Sequence, residues 1–268
     1  MAHTIAFAFN KGGVGKTTSA VSLAVSLQRM GYKILFIDMD PQANSTMNFG
    51  FSNKGNLKHV GRMMLGEFPI QDIILQSRGI DILPASDEMF DKQREIGSKH
   101  LSHTFLNDYL DAIRDQYDFV ILDCPPSLEA LTVNALVAAD QVICPLILES
   151  FDMKGIEKMI QTLLDIRKKV NPNLNFMGFI VCKSSAIMQT KLGKLNLEDL
   201  EATFPDKVLR PLIRTAVTVP ESQNEGMTIF EWAAESKPAL DYDQLAKNIL
   251  QILNVTSHEQ SLQTNTHA

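Results

Sequence analysis

The feature that most constrains the fold is a glycine-rich segment, FNKGGVGKTT, at residues 9–18. An apolar run of strand-forming residues, TIAFAF, leads into it. Residues 16–30 after it have the apolar spacing of a helix, and Gly31 is placed to end that helix. The segment is therefore a glycine-rich turn between a strand and a helix, which is the setting of a phosphate-binding loop.

The glycines supply the backbone freedom that anion binding requires. Gly12, Gly13 and Gly15 let several N–H groups face one anion, and the positive end of the following helix adds to that field. Lys16 is placed to reach the β- and γ-phosphates of a nucleotide, and Thr17 to give its hydroxyl to Mg²⁺. A turn that binds nothing is the weaker alternative, because the strand, the loop and the Gly-Lys-Thr-Thr end occur together. The loop residues expected to contact ATP are Lys11, Gly12, Gly13, Val14, Gly15, Lys16, Thr17 and Thr18.

Apolar runs and amphipathic stretches alternate along the rest of the chain. The runs are almost continuously apolar, as in strands that are buried on both faces of a parallel sheet. The predicted strands are 4–9, 33–38, 79–85, 119–123, 141–148 and 176–182. The predicted helices are 16–30, 100–115, 127–138, 154–169, 189–203 and 239–253. This alternation predicts a three-layer α/β fold, with a mainly parallel twisted sheet and helices on both faces.

Length and composition fit one globular domain in the cytoplasm. The chain has 268 residues, of which 45% are hydrophobic and 21% charged. We expect a single domain over 1–256 and a polar, disordered tail over 257–268. We expect no secretory signal, because no basic region precedes an apolar one in the first residues, and we expect no membrane span, because no apolar run reaches about 20 residues. Its cysteines, Cys124, Cys144 and Cys182, lie far apart and are expected to be core residues.

A second lysine distinguishes the loop from the usual pattern. Asn10 occupies the position of the first glycine of that pattern, and Lys11 follows it. Lys11 lies on the opposite side of the glycines from Lys16. Its side chain can therefore point toward a nucleotide held by a facing subunit and neutralise charge that develops between the β- and γ-phosphates. A solvated surface charge explains Lys11 equally well, so the local chemistry leaves both interpretations open.

The segment KGGVGKTT resembles the deviant Walker A motif of the ParA/MinD family of P-loop ATPases, in which the early lysine is the signature lysine. FIDMDPQANST at 36–46 resembles the switch I of that family, and its Asp-Pro-Gln-Ala-Asn part is close to ParA/Soj proteins in particular. The resemblance covers residues 2–253. It implies a P-loop NTPase fold, ATP with Mg²⁺, and a homodimer that sandwiches two ATP molecules. It also implies that Lys11 crosses to the partner's nucleotide, which makes Lys11 and Lys16 catalytic candidates.

Two aspartates are the expected partners of the loop. Asp40 follows Asp38 in the switch I-like segment, where a carboxylate can orient the attacking water and reach Mg²⁺ through water. A turn or helix cap is the alternative for Asp40. FVILDCPPSLEALTVNAL at 119–136 resembles Walker B and switch II. It carries Asp123 to the carboxyl end of a strand, where open α/β sheets bind ligands. Asp40 is therefore a catalytic and metal candidate, and Thr17 and Asp123 complete the expected metal site.

The C-terminal segment 211–246 also resembles Soj-type proteins. In related structures the loop after about the seventh strand lies over the adenine. The resemblance therefore makes Pro211 and Arg214 candidates for ATP contacts.

The best candidate surface for DNA lies within 183–214. Lys191 and Lys194 are three residues apart and share one face of a predicted helix. Contacts from such a patch would be to phosphates, with little sequence preference. The net charge of −6 argues weakly against nucleic acid, and an ordinary solvated helix is the alternative. The candidate DNA-contacting residues are Lys183, Lys191, Lys194, Lys207 and Arg210.

Several functions fit the resemblance. The first is an ATPase of plasmid or chromosome partition, whose ATP dimer binds nucleoid DNA non-specifically and is released when a ParB-like partner stimulates slow hydrolysis. A relative that positions a non-DNA cargo on the nucleoid is inseparable from it by sequence.

A MinD-like membrane ATPase is the second class, and it needs a C-terminal helix with a basic polar face. The last predicted helix, ALDYDQLAKNILQILN, has two aspartates and one lysine, which disfavours a membrane. A redox ATPase is disfavoured by the positions of the cysteines. We therefore expect a cytoplasmic, nucleoid-associated partition ATPase with no membrane partner.

Overall fold

The structure is a computed structural model that describes residues 2–54 and 57–255. Within these ranges it has eight strands. They are His3–Phe7 (β1), Ile34–Asp38 (β2), Leu75–Ser77 (β3), Ile80–Leu83 (β4), Phe119–Asp123 (β5), Gln141–Ile147 (β6), Asn175–Cys182 (β7) and Val208–Leu209 (β8). The predicted tail, 257–268, lies outside the described residues.

All eight strands form one sheet, in the order β3-β4-β2-β5-β1-β6-β7-β8. Neighbouring strands are parallel except for β3, which pairs antiparallel with β4 at one edge. A sheet of this kind surrounded by helices is the predicted α/β fold class, which is confirmed. The parallel strands bring their carboxyl ends to one edge of the sheet, and that edge is where ligands bind in such folds.

The helices occupy most of the connections between strands. They are Lys16–Arg29 (α1), Asn44–Asn48 (α2), Val60–Met64 (α3), Met89–Ser98 (α4), Phe105–Leu110 (α5), Ala130–Ala138 (α6), Met153–Lys169 (α7), Ser184–Ile187 (α8), Lys191–Thr203 (α9), Thr218–Asn224 (α10), Ile229–Ala233 (α11) and Lys237–Ile252 (α12). In the described part of the chain, none of them combines the length and apolar character of a membrane span.

The core is centred on the middle strands. Every residue of β2 and β5 is buried. Phe7, Phe36 and Phe119 are fully buried, and burial of such a side chain stabilises the fold by roughly 1.5–3 kcal/mol. The three cysteines are also buried, which confirms their prediction as core residues. The strands therefore form a rigid platform under the loops of the carboxyl edge.

One predicted helix is wrong in extent. The stretch 100–115 contains only α5, flanked by short 3₁₀ turns at 102–104 and 114–116. Leu101 has a φ of +54°, which is incompatible with a continuous helix. The Leu106 N–H donates to Asn134 Oδ1 at 3.1 Å, so a side chain of α6 caps the start of α5. This long-range contact overrides the helical period of the segment.

Candidate functional site

The glycine-rich loop lies at the carboxyl edge of the sheet, between β1 and α1. Gly13 and Gly15 have φ angles of +72° and +97°, in the left-handed region that strains any other residue. Gly15 has a second constraint, because a Cβ atom there would lie 3.1 Å from Cys182 Sγ. Glycine at this position lets the loop pass against the end of β7 before α1 begins.

Lys16 is the first residue of α1, and its side chain returns over the loop. Its Nζ donates a 2.7 Å hydrogen bond to the Lys11 carbonyl oxygen, and only 6% of the residue is exposed. Burial lowers the pKa of the ammonium, while the charges of Asp123 and Asp40 raise it. An ammonium has three donors, so this contact leaves capacity for the oxygens of an anion.

Asp123 ends β5 and is fully buried beside the loop. Neither of its carboxylate oxygens has a hydrogen-bond partner among the described residues. Burial raises the pKa of Asp123 well above its usual range, and the nearby Asp38 and Asp40 raise it further. The Thr17 hydroxyl and the Lys16 ammonium act in the opposite direction. A buried carboxylate in this state is costly unless a cation or a donor reaches it, so the position is prepared for a ligand.

Asp38 ends the neighbouring strand β2, and its Cα lies in register with that of Asp123 on β5. Its Oδ2 accepts from the Thr46 N–H at 2.9 Å and from Thr46 Oγ1 at 2.7 Å. Its Oδ1 accepts from the Asp40 N–H at 3.1 Å. Burial raises the pKa of Asp38 to about 6, while these hydrogen bonds lower it. Asp38 therefore fixes the loop that carries Asp40.

Asp40 lies between β2 and α2 and is only 7% exposed. Its Oδ1 accepts from the Gln42 N–H at 2.9 Å, which is the turn contact given above as an alternative for this residue. The contact leaves a second carboxylate oxygen for other partners. Burial raises the pKa of Asp40, and the Lys16 ammonium lowers it. Asp40, Asp123 and Lys16 therefore share one electrostatic environment.

The segment 211–214 runs along the end of β7, next to the glycine-rich loop. The Ile213 N–H donates to the Val181 carbonyl at 2.9 Å, and the Ile213 carbonyl accepts from the Ser184 N–H at 2.9 Å. Val181 precedes Cys182, the residue that faces Gly15. The candidates Pro211 and Arg214 are thus at the same edge of the sheet as the loop.

Comparisons with known proteins agree with this geometry. Residues 2–176 match a family model described as an AAA domain. The chromosome-partitioning ATPase Soj of Thermus thermophilus is 35% identical over 247 residues, which cover 92% of this chain and 94% of that protein. The sporulation initiation inhibitor protein Soj of Bacillus subtilis is 32% identical over 251 residues, covering 93% and 98%. The chain belongs to the ParA/Soj family of ATPases.

The comparison with solved structures shows the fold that this chain shares with a nucleotide-binding protein. A crystal structure of cobyrinic acid a,c-diamide synthase from Mycobacterium smegmatis, with bound ADP and magnesium, superimposes with a TM-score of 0.83. It is 27% identical in sequence, and the match covers 95% of this chain and 96% of that one. The resemblance to the ParA/Soj family that the sequence motifs carried is confirmed.

The remaining loop residues of this ParA/Soj-type ATPase differ in exposure. Gly12 is exposed, Val14 is buried, and Lys11 is partly buried. Thr18 is partly buried, and its Oγ1 accepts from Gln223 Nε2 at 2.8 Å. Helix α10 is therefore tied to the loop by a contact that the sequence motifs did not indicate.

The structure divides the five basic candidates for DNA contact. Lys183, Lys191 and Lys194 are exposed, at the carboxyl end of β7 and the first turn of α9. Lys207 donates to the Phe176 carbonyl at 2.9 Å, at the other end of β7. Arg210 pairs with Glu201. Arg210 is also exposed and follows β8 at the carboxyl edge, but Glu201 already neutralises its charge, so Lys183, Lys191 and Lys194 are the stronger candidates.

Three residues of this edge were missed by sequence reasoning. Thr46 holds Asp38, Gln223 holds Thr18, and Asp241 accepts hydrogen bonds from Arg214. Thr46 lies within the switch I-like segment, eight residues after Asp38. A hydroxyl at that distance from a strand-ending acid was a sequence signal for a hydrogen bond to Asp38. Gln223 and Asp241 are far from their partners in sequence, and the motifs carry no signal for them.

Proposed function

We propose that this protein is a Mg²⁺-dependent ATPase of plasmid or chromosome partition that dimerises with ATP. The observation that supports it most is a buried lysine, Lys16, beside a buried carboxylate without a partner, Asp123, at a glycine-rich loop. Family membership supports the proposed reaction, in which ATP and water form ADP and phosphate.

The residues at the site suit Mg²⁺. Asp123 offers two oxygens without partners, and the Thr17 hydroxyl is close to it. The described residues include no cluster of three or more His, Cys, Asp or Glu side chains that could hold a metal alone. That agrees with Mg²⁺, which is usually bound by few protein groups together with water and substrate phosphates. Thr17 would hold the ion directly, and Asp123 and Asp40 through water. The ion would supply positive charge to the phosphates.

The chain's own groups account for binding and hydrolysis. The loop N–H groups and Lys16 bind the phosphates, and Asp40 orients the attacking water. Because burial raises the pKa of Asp40, this carboxylate is a better proton acceptor than an exposed one. Asp38 holds the Asp40 backbone through its 3.1 Å hydrogen bond. We propose that basal hydrolysis is slow and that a ParB-like protein accelerates it.

Lys11 gives the dimer its dependence on ATP. It precedes the exposed glycines of the loop and is itself partly exposed, so its side chain can reach a facing subunit. There the ammonium would lie on the partner's phosphates, as an arginine finger does in other systems. Removal of ATP would leave each Lys11 facing the positively charged phosphate loop of the facing subunit without an anion between them, and the dimer would separate.

The dimer binds nucleoid DNA through Lys183, Lys191 and Lys194. These exposed lysines lie at one edge, and a two-fold axis doubles the patch. Contacts to phosphates make the binding non-specific and sensitive to salt.

The test of nucleotide binding and dimerisation compares Lys16→Ala with Lys11→Ala. Lys16→Ala should lose ATP binding, because the charge at the β- and γ-phosphates is gone while the glycines remain. Lys11→Ala should bind ATP and stay monomeric. Calorimetry measures binding, and size-exclusion chromatography with light scattering in ATP and Mg²⁺ measures mass. An ATP-dependent dimer of Lys11→Ala would refute the role of Lys11 across the interface.

The test of DNA binding uses the double substitution Lys191→Glu and Lys194→Glu. It should abolish retention on random-sequence duplex DNA and leave ATP-dependent dimerisation intact. The matched control is Lys168→Glu with Lys169→Glu, which reverses two exposed lysines at the end of α7. Fluorescence anisotropy with and without ATP, at two salt concentrations, separates them. Undiminished binding by the Lys191→Glu and Lys194→Glu variant would place the DNA surface elsewhere, and an equal loss in both double variants would show that binding depends on net charge alone.

A further inference from the structure

Three consecutive residues of α12 make polar contacts with three different parts of the molecule. They are Asp241, Tyr242 and Asp243, near the start of the helix. Two of these contacts reach segments that border the nucleotide site, and the third reaches the far end of α1. Asp241 and Tyr242 are therefore candidates for a role at the nucleotide site, and Asp243 is a matched control on the same helix.

Asp241 holds the segment that ends with Arg214. Its carboxylate accepts from the Arg214 N–H at 2.9 Å, from Nε at 2.9 Å and from Nη2 at 2.7 Å. The Asp241 side chain is 6% exposed, whereas that of Arg214 is 42% exposed. A buried acid thus fixes both the backbone and the side chain of a half-exposed residue. Paired charges with two parallel hydrogen bonds restrict geometry strongly.

Tyr242 holds the first turns of α1 from behind. Its hydroxyl is 3.0 Å from Ser19 Oγ, and both residues are buried. Burial raises the pKa of Tyr242 well above its ordinary value, so the phenol stays protonated and can donate. Ser19 Oγ is also 3.6 Å from Cys182 Sγ, the atom that faces Gly15. Tyr242 therefore contacts α1 at a residue that packs directly against the end of the glycine-rich loop.

Asp243 makes a similar contact away from the site. Its carboxylate accepts from Ser26 Oγ at 2.8 Å and from Arg29 Nη1 at 2.9 Å. Ser26 and Arg29 belong to the last turn of α1, about ten residues from the loop. Asp243 and Asp241 each bind an arginine, but only Asp241 reaches a segment at the site edge.

We propose that Asp241 and Tyr242 are positioning residues of the nucleotide site. Asp241 acts through the segment that ends at Arg214, and Tyr242 acts through Ser19 behind the glycine-rich loop. The proposal rests on the proposed function, because it takes ATP as the ligand. Helix α12 therefore holds the segment 211–214 and the glycine-rich loop in one arrangement.

The experiment measures the binding of ATP to three variants by calorimetry in excess Mg²⁺. Asp241→Asn should weaken ATP binding about three- to tenfold, which is the contribution of one good hydrogen bond. Tyr242→Phe should weaken ATP binding about threefold. Asp243→Asn should change neither. Because Asp241→Asn and Asp243→Asn each remove an ion pair with an arginine, both should lower Tm, so a purely structural effect would not separate them.

Two results would overturn the proposal. One is an unchanged ATP affinity in Asp241→Asn, and the other is an equal loss of ATP affinity in Asp243→Asn. If the wild-type protein does not bind ATP, the proposed function fails, and hydrogen exchange in nucleotide-free protein decides the positioning role. Faster exchange of the Arg214 amide in Asp241→Asn than in Asp243→Asn supports it, and equal exchange rejects it.

Discussion

Two strand ends of this molecule look alike in sequence and differ in chemistry. Asp38 and Asp123 end neighbouring strands, face each other in register, and are both 0% exposed. Asp38 accepts three hydrogen bonds from Thr46 and Asp40. Asp123 has no hydrogen-bond partner within the described ranges. Folding alone satisfies the first carboxylate, while the second needs a ligand.

The difference separates a structural acid from a functional one. A buried carboxylate without partners destabilises the protein that contains it, so its presence points to a binding partner. A carboxylate with three donors holds the backbone around it. Burial and strand position are the same in both, and only the hydrogen bonds distinguish them.

The largest expected effect comes from Asp123→Asn. We expect single-turnover hydrolysis of ATP to fall at least about 100-fold, because the site would lose the charge proposed to face Mg²⁺ and its water. The nucleotide-free variant should change in stability by less than about 1 kcal/mol, because Asn has the same shape and Asp123 accepts no hydrogen bond within the described ranges. Urea denaturation measures the second quantity. A loss of stability as large as that of Asp38→Ala would break the contrast with Asp38.

The next effect is a loss of stability in Asp38→Ala. The substitution leaves the N–H and hydroxyl of Thr46 and the N–H of Asp40 without their acceptor. We expect a loss of about 3–4 kcal/mol in the free energy of unfolding, from unmet hydrogen bonds and a cavity. Thermal and urea denaturation without nucleotide test it. An Asp38→Ala variant as stable as the wild type would mean that Asp38 is not the structural member of the pair.

The pH dependence of stability follows from the raised pKa of Asp38. Its folded value is about 6 and its unfolded value 3.8. The folded state therefore holds the proton more tightly, and this contribution is fully present below pH 3.8 and is lost as pH rises through about 6. The change is at most about 3 kcal/mol. Asp38→Asn cannot titrate, so the stability of the wild type relative to this variant should fall over the same interval. A difference that is independent of pH would contradict the assignment.

The smallest effect belongs to Thr46. Its hydroxyl donates to Asp38 and accepts from the Ala85 N–H at 2.9 Å. Thr46→Val should cost about 1–2 kcal/mol, because the Ala85 amide loses its partner. Thr46→Ser keeps both hydrogen bonds and should cost less than about 1 kcal/mol. Equal losses in the two variants, measured by urea denaturation, would assign the effect to packing.

The sequence predicted the parts of the site that depend on local order. A glycine-rich loop between a strand and a helix, and Asp123 at the end of an apolar run, are features of short segments. The strands of the parallel core were also predicted, because continuous apolar runs mark them. Short polar elements such as α2 and β3 were not, since they lack any period.

Contacts between distant segments could not be predicted. The helix predicted over 100–115 has an adequate period, but the Asn134 side chain caps it at Leu106. The two aspartates of the last helix were interpreted only as a charge that disfavours membranes. The structure pairs Asp241 with Arg214 and Asp243 with Arg29. Sequence patterns record the type of these residues and give no information about their partners.

The packing of α12 on α1 has a consequence for the order of folding. Ser19 and Ser26 lie near the start of the chain, and their partners Tyr242 and Asp243 near its end. A ribosome releases the first helix long before the last one, and contacts so far apart in sequence close late. The glycine-rich loop therefore gains its rear support only after α12 has been synthesised. A chain that stops before α12 would lack the Tyr242 contact behind that loop.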